Sequence, residues 1–203
     1  MMKGIAAGVL LAAAWAGPAV AGYKLMPRGV PETVRTSGLR VTPSIDWNRV
    51  GAKVGRNAEA WTLDGQSLNE ITFYAGIGEG ETLFKEVGKK TRPLPRFSAR
   101  MLPPDIVQLF EGSYRVAAQT SLFSVDQVEP TEFLGRQGFR FRYNFTVQDE
   151  EVRRTGEATA AVVDGKLYMI AFEAPTLHYF DRDEGAYRAL VASAQLGAPA
   201  KPQ

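Results

Sequence analysis

Cysteine is absent from the 203 residues, and histidine occurs once, at His178. Without disulfides the chain must be held together by packing alone. A cysteine-based metal site and a thiol nucleophile are both excluded. A metal site built on His178 would need several carboxylate partners, and no spacing in the sequence supplies them. No serine sits in a Gly-x-Ser-x-Gly elbow, so a serine triad has no anchor. A strong charge of either sign is also lacking, the formal net charge being +2. That balance gives no overall drive toward nucleic acid or anionic membrane. After the first 21 residues no run is apolar enough to span a bilayer, which takes about 20 residues.

What is present begins with an address. Lys3 is a positive n-region, Ile5–Trp15 an apolar h-region, and Ala19-Val20-Ala21 a small-x-small site. This is the pattern of a secretory signal peptide over residues 1–21, with cleavage expected after Ala21. The apolar run is too short for a transmembrane helix, and the absence of cysteine excludes a lipoprotein anchor. A periplasmic or secreted location follows as the expectation. Removing Lys3 from the 24 basic residues leaves 23 against 22 acidic ones in the mature chain.

Residues 22–58 carry Pro27, Gly29, Pro31, Pro43, Gly51 and Gly55 with little apolar periodicity. They read as an extended lead-in with a short strand at Leu39–Thr42, and 43–58 as loop. Ala60-Trp61-Thr62 and Leu68–Ala75 flank Asp64-Gly65, a dipeptide suited to a tight turn. That predicts a hairpin with Ile71, Phe73 and Ala75 on one side and Thr72 and Tyr74 on the other.

Pro103-Pro104 and Asp105 open a predicted helix of about four turns, since proline and an acid both suit a first helical turn. Its apolar stripe is Ile106, Leu109, Phe110, Tyr114, Ala117 and Ala118. Phe139, Phe141, Tyr143, Phe145 and Val147 then alternate with Arg140, Arg142, Asn144 and Thr146, which predicts a half-buried strand. Gln148–Glu151 reads as a polar loop and Asp164-Gly165 as a second tight turn. Counting back from both turns sets Arg142 opposite Glu157, Phe141 opposite Ala158, and Phe139 opposite Ala160. Ala158–Val163 and Leu167–Phe172 are apolar on both faces, so both faces must be covered. A last helix, capped by Asp181 or Asp183, offers Tyr187, Leu190, Val191 and Ala194 as one cover. Gly197 and Pro199 stop it.

The fold class expected is α+β: an antiparallel sheet sandwiched between helices (α/β/α), a single domain after the signal peptide. The sandwich is assigned to 59–196 and a flexible tail to 197–203.

That order resembles the PsbP-like superfamily of α/β/α sandwiches. The residues that carry the likeness are Gly165–Phe172, Ala174-Pro175 and Tyr187–Ser193, within Leu102–Leu196. The superfamily has no common catalytic motif, so the resemblance implies a non-enzymatic binder or assembly factor. The N-terminal part, with Asp46-Trp47-Asn48 and Trp61–Gly65, is similar to exported proteobacterial proteins of no known activity.

The candidate contact region is the basic segment Lys85–Arg100. Lys85, Lys89, Lys90, Arg92, Arg96 and Arg100 stand there against one acid, Glu86. Pro93 and Pro95 argue that it ends irregular and mobile. Its field suits an envelope protein with an acidic face or an anionic lipid surface. It has little aromatic interleaving beyond Phe97, so nucleic acid is not an expected partner. A second candidate is a ligand pocket lined by Trp47 and Trp61, with Asn48 and Asp64 at its rim, set against plain core packing. Gly76-Ile77-Gly78-Glu79-Gly80-Glu81 lacks the spacing of a phosphate loop. Asp181, Asp183 and Glu184 follow no calcium-loop spacing. No cofactor, metal or catalytic residue is assigned. The expectation is an exported binding or accessory protein. Its alternatives are a hydrolase using two dispersed carboxylates, one of raised pKa in a deep pocket, and a small-ligand carrier.

Overall fold

A computed structural model describes residues 22–86, 91–118, 120, 122–147 and 151–197. The signal-peptide expectation at 1–21, most of the 148–151 loop and the tail beyond Gly197 lie outside these residues.

The sheet grows from the aromatic strand that alternation predicts. β8 (Arg136–Thr146) pairs with β9 (Arg153–Val163), and β9 with β10 (Lys166–Pro175), all antiparallel. The register is the predicted one: Arg142 faces Glu157, Phe141 faces Ala158, and Phe139 faces Ala160. Asp164 and Gly165 both take positive φ, the geometry that closes a two-residue hairpin with the right twist.

β7 (Leu122–Phe133) joins β8 through a tight Leu134-Gly135 turn and forms one edge. Sequence reading assigns no strand there. Most of its residues are exposed, its register shifts between Val125 and Gln127, and Pro130 interrupts it. Such features blunt an exposed sheet edge and erase the alternation that reveals a strand.

On the other side β10 pairs with β6 (Glu70–Ile77), and β6 with β5 (Ala58–Thr62). The predicted hairpin forms, but residues 63–69 connect it rather than a two-residue turn. Buried Asn69 explains the longer path, because its side-chain oxygen accepts the Leu63 and Asp64 N–H groups at 2.8 and 3.1 Å.

The segment 22–58 enters the core more fully than a lead-in would. β1 (Lys24–Met26) and β4 (Trp47–Arg49) complete an eight-stranded sheet of order β1-β4-β5-β6-β10-β9-β8-β7. β2 (Glu32–Thr33), β3 (Leu39–Val41) and β11 (Gln195–Leu196) form a small second sheet. Strands of two or three residues are too short to show a period, which is why 43–58 reads as loop.

Both faces are covered, as the doubly apolar strands require. α1 (Pro103–Ala117) buries Ile106, Leu109, Phe110 and Tyr114 against Phe141, Tyr143, Met169 and Ala171. Ala117, assigned to the stripe, is exposed at its last turn. α2 (Tyr179–Ala192) buries Phe180, Tyr187 and Leu190 against Ile170 and Phe172. Neither Asp181 nor Asp183 caps it. His178 holds the N-cap position at φ +73° without a side-chain cap bond, and both acids lie inside the helix. Asp183 is buried and accepts from Asn69 at 3.0 Å and from Arg182 at 2.7 Å, an ion pair that outweighs a cap bond. The architecture is thus an α+β sandwich, an open antiparallel sheet with one helix on each face.

Candidate functional site

β5 and β6 run antiparallel, so the residues before one meet the residues after the other. Gly55 approaches the Leu83 carbonyl so closely that a Cβ there would sit 2.5 Å from the oxygen. The Lys85 N–H donates to the Val54 carbonyl at 2.9 Å. The basic segment is tied to the same end. Phe97 is buried, its N–H donates to the Glu81 carbonyl at 2.9 Å, and its carbonyl accepts from Gly80 at 2.8 Å. Buried Leu94 is a second anchor.

Between these walls lies a pocket of about 430 Å³, whose charged lining is Lys53, Arg56, Lys85 and Arg96 with Glu81 and Glu86. Both acids are engaged. Glu86 takes Arg96 at 3.0 and 3.2 Å, while Glu81 accepts from Asn57 and the Gly78 N–H at 2.8 Å each and pairs with Arg56 at 3.5 Å. Arg96 also donates to the Gly80 carbonyl at 2.7 Å. Lys53 and Lys85 are exposed and have no ion-pair partner among the described residues. The pocket therefore keeps an uncompensated positive charge.

Of the predicted contact residues, Lys85 and Arg96 line this pocket. Arg92 and Arg100 are exposed outside it, and Lys89 and Lys90 lie outside the described residues. Lys53 and Arg56 escape sequence reading because only strand pairing brings them here. The signal was the hairpin itself, which places residues just before it beside residues just after it.

The tryptophan candidates go to the core. Trp47 and Trp61 are fully buried, and Trp61 packs on Phe73 at 4.7 Å between ring centroids. The Trp61 indole donates to Glu59 at 2.8 Å, whereas the Trp47 indole nitrogen has no hydrogen-bond partner among the described residues. Asn48 donates to the Leu63 carbonyl at 3.4 Å. Asp64 pairs with Arg182, which holds its carboxyl below the usual range against the opposing effect of burial.

A carboxylate pair also forms. Glu70 and Glu173 are opposite partners of β6 and β10. Loss of solvent, reinforced by Glu70, pushes the Glu173 carboxyl well above its usual range. Loss of solvent also raises Glu70, against hydrogen bonds from Gln66 and Thr72 and the charge of Arg154. The Tyr114 hydroxyl donates to Glu173, and that of Tyr143 approaches it at 3.5 Å. Two acids of the kind the hydrolase alternative needs are thus present, one strongly raised, but neither lines the basic pocket or the cleft beside α2. No cluster of three or more potential metal ligands occurs among the described residues, and no helix there is long and apolar enough to cross a membrane.

No protein-family model and no curated protein matches the chain. Solved structures similar to it include cyanobacterial PsbP (CyanoP) from Synechocystis sp. PCC 6803, at 13% identity and TM-score 0.42, covering 89% of this chain and 96% of that one. The Ran-binding protein Mog1p of Saccharomyces cerevisiae is similar at 7% identity and TM-score 0.46, covering 86% and 95%. LpqN of Mycobacterium tuberculosis, involved in cell envelope biogenesis, is similar at 9% identity and TM-score 0.34, covering 85% and 90%. A PsbP is thus among the structural neighbours, as the sequence resemblance implies.

Proposed function

We propose that this chain is an exported, periplasmic, non-enzymatic binding or accessory protein that holds an anionic group of an envelope component in the pocket of Lys53, Arg56, Lys85 and Arg96. One observation carries the reading: both acids of the pocket are consumed by internal partners, while the two lysines that line it have no ion-pair partner among the described residues. A mobile acidic side chain or lipid headgroup could satisfy them without breaking an existing bond. Export is supported by Lys3, the apolar run Ile5–Trp15 and Ala19-Val20-Ala21.

The test is reversal of the unpaired charges. Mature protein carrying Lys53→Glu and Lys85→Glu is compared with the parent for co-sedimentation with phosphatidylglycerol-rich vesicles and for capture from envelope extract. The parent is expected to bind at low ionic strength and weaken as salt shortens the Debye length toward about 8 Å. The double variant is expected to lose most of that binding. Vesicle binding marks a headgroup, and capture alone marks an acidic protein. Equal binding by variant and parent removes the pocket from consideration.

A further inference from the structure

On its own face of the sheet, α2 sits over β10 and β9. Beyond it β8 presents Arg140 and Arg142, half-buried, toward an open cleft. The cleft runs between α2 and the β7–β8 hairpin. Its wider part holds about 360 Å³ and its narrower part about 150 Å³, joined through Arg140, Glu157 and Arg188. The wider volume falls in the lower range of small-ligand sites, which hold roughly 300–1,000 Å³.

The two ends differ in chemistry. Phe133, Leu134, Val191 and Ala194 give the wide end an apolar wall, beside Thr131 and Glu132 and over a floor of Thr159 and Tyr187. The Tyr187 hydroxyl is occupied inward, donating to the Ile170 carbonyl at 3.1 Å. At the narrow end the Glu157 side chain is only 3% exposed and takes Arg142 at 3.3 Å and Arg188 at 2.9 Å. Glu184 binds the same two arginines, and Arg142 also lies over the Phe180 ring at 5.2 Å. These two guanidiniums are therefore fixed. Arg140 differs: its carboxylate partner is Glu129 on the edge strand, at 2.6 Å, with both side chains 38% exposed. An ion pair this exposed is weak, so a competing carboxylate can replace Glu129 at little cost.

We infer that this cleft binds a carboxylate on a short apolar chain, with the carboxylate on Arg140 in place of Glu129 and the chain lying between Phe133, Leu134 and Val191. Such a group belongs either to a free alkanoic acid or to the C-terminal residue of a peptide. The site is on the α2 face, whereas the basic pocket stands with Phe84 on the α1 face, so either can fail alone.

The experiment titrates the mature protein with hexanoate, with hexanamide, and with a pentapeptide ending in leucine as free acid or amide, read by amide NMR shifts. Hexanoate is expected to shift residues of β8, the 131–135 turn and α2. Arg140→Gln should weaken it about tenfold, the loss of one charge-assisted contact. Glu129→Gln should tighten it up to about fivefold by removing the competitor. Val191→Trp should abolish it by filling the apolar end, and circular dichroism confirms the fold of each variant. Binding of hexanoate alone assigns a small acid, and binding of the free-acid peptide as well assigns chain ends. Equal binding of hexanamide, an unchanged affinity in Arg140→Gln, or no shift with either acid overturns the inference.

Discussion

Tyr143 lies so tightly across Gly156 that a Cβ on the glycine would fall 2.1 Å from its Cζ. Gly156 is the register partner of both Tyr143 and Glu173, and the missing side chain lets the phenol reach across β9 toward that carboxyl. The ring has nowhere to retreat. Phe123 stacks on it at 5.3 Å and Phe110 meets it edge-on at 5.1 Å. Gly156→Ala is therefore expected to destabilise by about 1–3 kcal/mol through overpacking. Urea unfolding reads this as a lower midpoint with an unchanged slope. A midpoint equal to the parent's would mean that the ring relocates freely.

The same carboxyl sets an expected pH dependence. Glu173 is faced by Tyr114 from α1, Tyr143 from β8 and Glu70 from β6. Its folded pKa is raised by loss of solvent first and by Glu70 second. An acid raised on folding gives stability that is fully present below the unfolded carboxyl value of about 4.3, and loses it as pH rises toward the folded value. Glu173→Gln removes the titration. The variant should match the parent near the unfolded value and exceed its urea midpoint at neutral pH, where the parent has lost stability. Parallel pH profiles for the two proteins would show that Glu173 ionises without cost.

These two positions also mark how far sequence reasoning reaches. The β8–β9–β10 register was legible, down to Arg142 opposite Glu157, because one strand alternates and Asp164-Gly165 closes a short turn. The Glu70–Glu173 pair was not, since it depends on β6 pairing with a distant strand that no local pattern names. β7 stayed hidden because an edge strand with a register shift and Pro130 has neither alternation nor a buried face. The basic pocket was half legible. Lys85 and Arg96 stand in a visible run of charge, while Lys53 and Arg56 arrive only through the hairpin.

Glu157 tests whether the two fixed arginines depend on one buried acid. Its carboxylate is shared by Arg142 from the neighbouring strand and Arg188 from α2. Glu157→Gln keeps the shape and removes the charge, leaving two guanidiniums side by side with Glu184 alone to balance them. Both arginines are partly solvated, which limits the loss to about 1–3 kcal/mol. The expected signature is a lower urea midpoint that recovers in part at high salt, where repulsion between the arginines is screened. A deficit independent of salt would point to lost hydrogen-bond geometry rather than charge.

Asn69 is the densest polar junction of the α2 face and the clearest place to break the fold with one substitution. Its side-chain oxygen accepts from Leu63 and Asp64 N–H and from the Thr62 hydroxyl at 3.0 Å; its nitrogen donates to Asp64 at 2.9 Å and Asp183 at 3.0 Å. These bonds shape the 63–69 connection and tie it to α2. Asn69→Ala strips buried donors and acceptors of their partners at once, each costing about 1–3 kcal/mol if water cannot replace it. A loss of roughly 3 kcal/mol or more in urea unfolding is expected, large against the 5–15 kcal/mol typical of a domain. Asn69→Asp keeps the acceptor but sets a third carboxylate beside Asp64 and Asp183. Its deficit relative to the parent should grow as pH rises through the carboxylate range, whereas the deficit of Asn69→Ala should show no such growth. If both variants unfold at the parent's midpoint, the loop and α2 are held together by apolar packing instead.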